Sequence, residues 1–191
     1  MDSKELINLI KDRRSIFPPQ FTNQEISQQT LETILESANW APTHKKTEPW
    51  RFKVVRKAQR KKLGDFLAST YQEITDPSKV KKFKINKIKE NCLNSQAILA
   101  ICMQRDPKQS IPEWEEVAAT AMAVQNLWLT CHAMQIGGYW SSPAMINKAG
   151  NFFNLAEGER CLGFFYMGYY EQDKELNSNR SPINEKIKWI E

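Results

Sequence analysis

Two histidines, His44 and His132, limit the chemistry open to this 191-residue chain. A serine or cysteine hydrolase would need one of them as its base, and no serine is framed like a nucleophile elbow. His132 lies inside a long apolar stretch and reads as a satisfied core histidine. No cluster of His, Cys and carboxylates has metal-ligand spacing. Gly137-Gly138 follows a helix-patterned stretch and lacks a third glycine before a new one, so it is not a dinucleotide fingerprint. What remains is phosphate and ring chemistry. Arg13-Arg14-Ser15 offers guanidinium forks that suit phosphate oxygens, or equally a basic end that complements a helix dipole. Residues 41–55 form a polar, proline-bracketed loop carrying Thr43, His44 and Glu48 that runs into an alternating strand. Tyr139-Trp140-Ser141-Ser142-Pro143 is a second polar and aromatic loop. Such contacts, with no obvious acid, base or nucleophile, suit a bound cofactor that performs the chemistry itself.

The elements that must position these residues follow from periodicity. Asp2 caps a helix carrying Leu6, Ile7, Leu9 and Ile10 that ends near Arg13, and Phe17-Pro18-Pro19 stops it. Ser27 caps a second helix with Leu31, Ile34, Leu35 and Ala38 on one face. Pro42 and Pro49 prevent that helix from continuing, and residues 50–55 then alternate as a strand with one buried face. Residues 57–93 read as two helices divided at Asp76-Pro77-Ser78. Residues 96–103 are too continuously apolar for an edge, so this strand is covered on both faces and central. From Pro112 a long helix, apolar on nearly every side, runs to Ile136 and ends at Gly137-Gly138. Such a helix belongs in the middle of a core or between two subunits. Residues 144–157 are weakly helical. Residues 161–170 form a strand whose Gly163 and Gly168 suggest close backbone packing. The terminal Ile187-Lys188-Trp189-Ile190 is expected to dock by its tryptophan.

Composition is that of an ordinary globular chain, 41% hydrophobic and 26% charged, and the length suits one domain over residues 1–191. Part of the net charge of +5 lies in the lysines of residues 79–89, which read as the solvated face of an amphipathic helix rather than a nucleic-acid surface. Cys92, Cys102, Cys131 and Cys161 lie far apart beside apolar residues with no signal peptide before them, so buried thiols in a reducing cytoplasm are expected. No apolar run reaches the length of about 18 residues that a membrane span needs.

Taken in order, Arg13-Arg14-Ser15, the Ala41-Pro42, His44-Lys45 and Pro49-Trp50 loop with Phe52, the long helix ending in two glycines, Trp140-Ser141-Ser142 and the Gly163 to Gly168 strand together resemble the FMN-dependent nitroreductase family. The likeness covers nearly the whole chain and is strongest to the short branch of NAD(P)H nitroreductases. It implies an α+β fold, a central mostly antiparallel sheet flanked by helices, in an intertwined homodimer with two FMN sites at the interface. Carried over by position, Arg13, Arg14 and Ser15 would hold the FMN phosphate and ribityl chain, and Trp140, Ser141 and Ser142 would line the flavin. Thr43, His44 and Glu48 would reach it from the other subunit, and Arg180, in the C-terminal loop, would contact phosphate. Glu48 departs from the glutamine of close relatives. The implied reaction is hydride transfer from NADH or NADPH to a nitroaromatic, quinone or similar small-molecule acceptor by a ping-pong cycle. Relatives of the fold also carry out flavin fragmentation, dehalogenation and enone reduction, and outside the family the lysine-rich helix allows a nucleic-acid-binding reading.

Overall fold

A computed structural model describes residues 2–171 and 179–191. Asp2 opens helix α1 (Ser3–Asp12) with a reciprocal cap, accepting from the Glu5 amide at 2.8 Å while the Glu5 carboxylate accepts from the Asp2 amide at 2.7 Å. Ser27 caps α2 (Gln28–Asn39), its hydroxyl accepting from the Thr30 amide at 3.0 Å. Strand β1 (Trp50–Arg56) leads to α3 (Ala58–Ile74) and α4 (Lys82–Asn94), divided at Asp76 and Pro77 as the sequence predicts. Strand β2 (Ala97–Gln104) precedes the long helix α5 (Glu113–Ala133), followed by β3 (Ile136–Ser141), the short α6 (Gly150–Phe153) and β4 (Glu159–Tyr169).

Among the described residues the strands form one antiparallel sheet in the order β1-β2-β4-β3. The apolar run of β2 therefore lies inside the sheet, buried on both faces. On one face Leu31 and Ile34 of α2 and Leu127 of α5 meet Leu99, Ile101 and Phe165. On the other, Leu63 and Leu67 of α3 and Cys92 of α4 meet Ile98, Ala100 and Phe164. Strand alternation thus sends Phe164 and Phe165 into opposite cores. The α+β architecture of an antiparallel sheet flanked by helices is as expected.

The glycine pair does not end α5. The helix stops at Ala133, Gln135 takes the left-handed conformation (φ 57°), and the chain enters β3 at Ile136. Tyr139, Trp140 and Ser141 are consequently strand residues rather than a loop. The glycines serve close packing, since a Cβ on Gly138 would lie 2.6 Å from the Phe165 ring and one on Gly137 would lie 2.7 Å from the Ile16 side chain.

The terminal tryptophan does not dock within the chain. Trp189 is 81% exposed and Ile190 90%, because helices of the same chain already cover both faces of the sheet. Helix α1 also buries no residue, leaving Leu6, Ile7 and Ile10 exposed. Within α5, Trp114 is 68% exposed despite the apolar character of the helix. No helix among the described residues is long and apolar enough to cross a membrane.

Candidate active site

At the C-terminal end of α1 the backbone turns extended at Arg13 and pairs with the edge of β3 through the Ile16 amide and the Gly138 carbonyl at 3.1 Å. This short tether places residues 13–19 along β3, with a cavity at each end. The first, of about 410 Å³, is lined by Lys11, Asp12, Arg13, Arg14 and Arg180. Three arginines from opposite ends of the chain thus share one cavity. Arg13 lies over the Trp128 ring at 4.4 Å, and its Nη1 is buried with no hydrogen-bond partner among the described residues. Burial, with Arg14 and Arg180 nearby, holds the Arg13 guanidinium below its ordinary pKa. Arg14 differs, for its Nη1 donates to the Lys11 carbonyl and, at 2.9 Å, to the Arg13 carbonyl. It serves the helix end. Ser15 is exposed between the two cavities.

The second cavity, of about 640 Å³, lies between β3 and the α3–α4 pair. Phe17, Tyr139 and Ser141 line one wall, and Tyr71, Lys84 and Asn91 line another. Apolar walls with few polar groups and a volume of this order suit a planar ring system. Pro143 is also in the lining, whereas Ser142 is exposed and is not. Trp140 points to the opposite face, packed with the α5 core, and its Nε1 donates to the Leu162 carbonyl at 3.3 Å.

Lys84 and Lys87 are exposed, as the sequence predicts, yet with Asn91 they also line this cavity, which the sequence reading does not foretell. Their signal lay in spacing, since positions 84, 87, 88 and 91 recur on one helical face beside the buried Cys92.

Thr43, His44 and Glu48 are not in either cavity. Thr43 and His44 line a third, of about 380 Å³, with Pro42, Glu115, Ala118 and Met122 of α5 and its flank. His44 Nδ1 lies 2.6 Å from Glu115 Oε2. Glu115 is not singled out by the sequence, because an acidic first turn, here Glu113, Glu115 and Glu116, also complements the helix dipole. Glu48 is exposed, its carboxylate has no ion pair among the described residues, and its amide donates to Thr43 Oγ1 at 3.1 Å. Within one chain, therefore, the Arg13 group and the His44 group remain apart.

His132 departs from expectation. It is half-buried rather than enclosed, makes no hydrogen bond among the described residues, and has Asp12, Arg13 and Arg14 in its surroundings. Burial lowers its pKa first, the neighbouring arginines add to this, and Asp12 opposes it. All four cysteines are free and buried as predicted, but Cys102 and Cys161 face each other across β2 and β4 rather than standing apart. No group of His, Cys, Asp and Glu among the described residues is arranged to hold a metal ion.

Residues 10–169 match the model of the nitroreductase family. The protein named "Putative NAD(P)H nitroreductase YfhC" of Bacillus subtilis is 28% identical over 186 residues, covering 95% of this chain and 92% of its own. A crystal structure of a nitroreductase-like family protein from Bacillus cereus is 30% identical with a TM-score of 0.83, covering 100% of this chain and 98% of that one. A Desulfovibrio desulfuricans structure in complex with FMN is 25% identical with a TM-score of 0.71, covering 95% and 94%.

Proposed function

The chain belongs to the nitroreductase family, and on that footing we propose that it is an FMN-dependent oxidoreductase that carries hydride from NADH or NADPH to nitroaromatic, quinone or related electrophilic acceptors. One observation carries the cofactor reading. Arg13 lines a cavity with Arg14 and Arg180 and carries a buried Nη1 that has no partner among the described residues, beside a larger cavity lined by rings and lysines. A buried donor left without a partner is costly, and a phosphate oxygen would satisfy it with a charge-assisted bond. The residues fit the group.

Arg13 and Arg180 would hold the phosphate, with Arg14 at the helix end adding positive charge. Ser15 would meet the ribityl chain as it passes from one cavity to the other, and Ser141 and Ser142 would line the ring. Trp140, whose indole faces the α5 core, would support that wall from behind by its bond to the Leu162 carbonyl. Lys84 and Lys87 would set positive charge beside the ring cavity, favouring an electron-rich ligand there. Bound FMN would supply the redox chemistry that links the nicotinamide to the acceptor in a ping-pong cycle.

The same reading makes the chain, residues 1–191, one domain of a cytoplasmic homodimer. Helix α1, Trp114 and Met122 of α5, and the terminal Ile187, Trp189 and Ile190 present apolar surface that a second copy would cover. Thr43, His44 and Glu48 would then reach the flavin held by the partner, which accounts for their separation from Arg13 within one chain. The test is the visible spectrum of purified protein. A yellow protein carrying about one FMN per chain is expected, and a colourless one that binds no added FMN would overturn the reading.

A further inference from the structure

The loop carrying His44 is held in an unusual conformation. Lys45, Lys46 and Glu48 all have positive φ, at 49°, 55° and 41°. Non-glycine residues stay there only when surrounding contacts over-determine them. The contacts come from α5 and its flank: Lys45 Nζ donates to the Ser110 carbonyl at 2.8 Å, and His44 Nδ1 meets Glu115 Oε2 at 2.6 Å. The three glutamates in the first turn of α5 have different partners. Glu113 pairs with Arg160 at 3.0 Å and the buried Glu116 with Arg105, whereas Glu115 is aimed at the histidine.

An ionised carboxylate only accepts hydrogen bonds, so the contact assigns the proton to Nδ1. The other ring nitrogen, Nε2, has no partner among the described residues. It is the atom free to exchange a proton.

We propose that His44 donates a proton through Nε2 to the acceptor during its reduction, and that Glu115 is the residue that positions it. The proposal rests on the reading above, in which His44 reaches the flavin site of a second copy. A hydride brings a quinone two electrons and one proton, so a second proton must come from elsewhere. The imidazolium of His44 gives its Nε2 proton to the quinone oxygen and becomes a neutral ring whose Nδ1–H still donates to Glu115. Solvent then returns a proton to Nε2. Glu115 stays a carboxylate throughout and selects the tautomer, as second-layer carboxylates commonly do for histidine.

With two histidines in the chain, ¹⁵N NMR with a His132→Asn control assigns each ring. At alkaline pH the wild-type protein without FMN is expected to show a protonated Nδ1 and a bare Nε2 on His44, and Glu115→Ala is expected to shift the proton to Nε2, the form an unconstrained histidine side chain prefers. The second measurement mixes FMN-loaded, pre-reduced protein with menadione, which needs a proton at oxygen, or with ferricyanide, which takes electrons alone. The ratio of the menadione rate to the ferricyanide rate should fall by about tenfold in Glu115→Gln, a part of the 10²–10⁴ that a placed general acid contributes. A tautomer unaltered by Glu115→Ala, or an unchanged rate ratio in FMN-loaded variants, overturns the inference alone. Wild-type protein that binds no FMN overturns the functional reading and the inference with it.

Discussion

Arg14 donates to two backbone carbonyls at the end of α1, while the Arg13 guanidinium is held over Trp128 with one buried donor that has no partner among the described residues. Adjacent arginines therefore carry different weight in binding an anion. Arg13→Ala should weaken FMN binding by about 1.5–3 kcal/mol, the value of a hydrogen bond to a charged group, and Arg14→Ala by less. Titration by flavin fluorescence decides this, and an equal or larger loss at Arg14 would reverse the assignment. Glu48 belongs to the same scale. A glutamine can both donate and accept, but an ionised glutamate only accepts, and this one has no ion pair among the described residues to neutralise it. If it lies about 6 Å from the reduced flavin, an effective dielectric of about 20 gives a repulsion of roughly 3 kcal/mol, which screening by ions, Lys45 and Lys46 could halve. About 1.4 kcal/mol corresponds to about 30 mV for a two-electron couple. Glu48→Gln should thus raise the FMN midpoint potential by several tens of millivolts, and spectroelectrochemistry showing no shift or a fall would refute it.

At the scale of elements, the seam between β3 and β4 and the seam between α3 and α4 are both set by small residues. Gly163 has φ 153°, and a Cβ there would fall 2.1 Å from the Trp140 indole nitrogen. Gly163→Ala should therefore destabilise the fold by about 2 kcal/mol or more through strain and displacement of Trp140. Chemical denaturation measures it, and a loss under about 0.5 kcal/mol would mean the seam yields easily. Between α3 and α4, Gly64 lets Cys92 approach closely, and burial pushes that thiol up from 9.0 to about 12. The unfolded chain loses this proton near pH 9 and the folded chain near pH 12. Between those values the folded state binds more protons, so the stability contribution is complete below pH 9 and is lost as pH rises, by at most about 1.4 kcal/mol per unit. Cys92→Ala should flatten the fall in melting temperature above pH 9. An identical slope would place the alkaline loss elsewhere.

At the scale of the molecule, apolar side chains remain uncovered at both ends of the chain and on the helix between them: Leu6, Ile7 and Ile10, then Trp114 and Met122, then Ile187, Trp189 and Ile190. In the proposed homodimer a second copy covers this patchwork, and light scattering should give the mass of two chains. A stable, FMN-loaded monomer would remove both the dimer and the reach of His44 to a partner's flavin. The clustered guanidinium groups near residues 13 and 180 also repel one another in the unliganded chain. Inorganic phosphate should raise the melting temperature more than chloride at equal ionic strength, and identical effects would leave only general screening.

Periodicity and capping chemistry are local, and they determined most of the elements: the Asp2 and Ser27 caps, the break at Asp76-Pro77, the doubly buried β2 and the helix-rich flanks. The motif order alone also identified the family. Other features were decided only by tertiary packing. Gly137 and Gly138 look like a helix stop, yet they lie within a strand because Ile16 and Phe165 press on them from neighbouring segments. Lys84 and Lys87 do face solvent, yet with Asn91 they also form a cavity wall once β3 is laid opposite. Glu115 looks like one of three dipole-compensating glutamates until the strained loop brings His44 within 2.6 Å. In each case the deciding contact joins residues remote in sequence, and the spacing along a chain carries no record of which distant surface a side chain will meet.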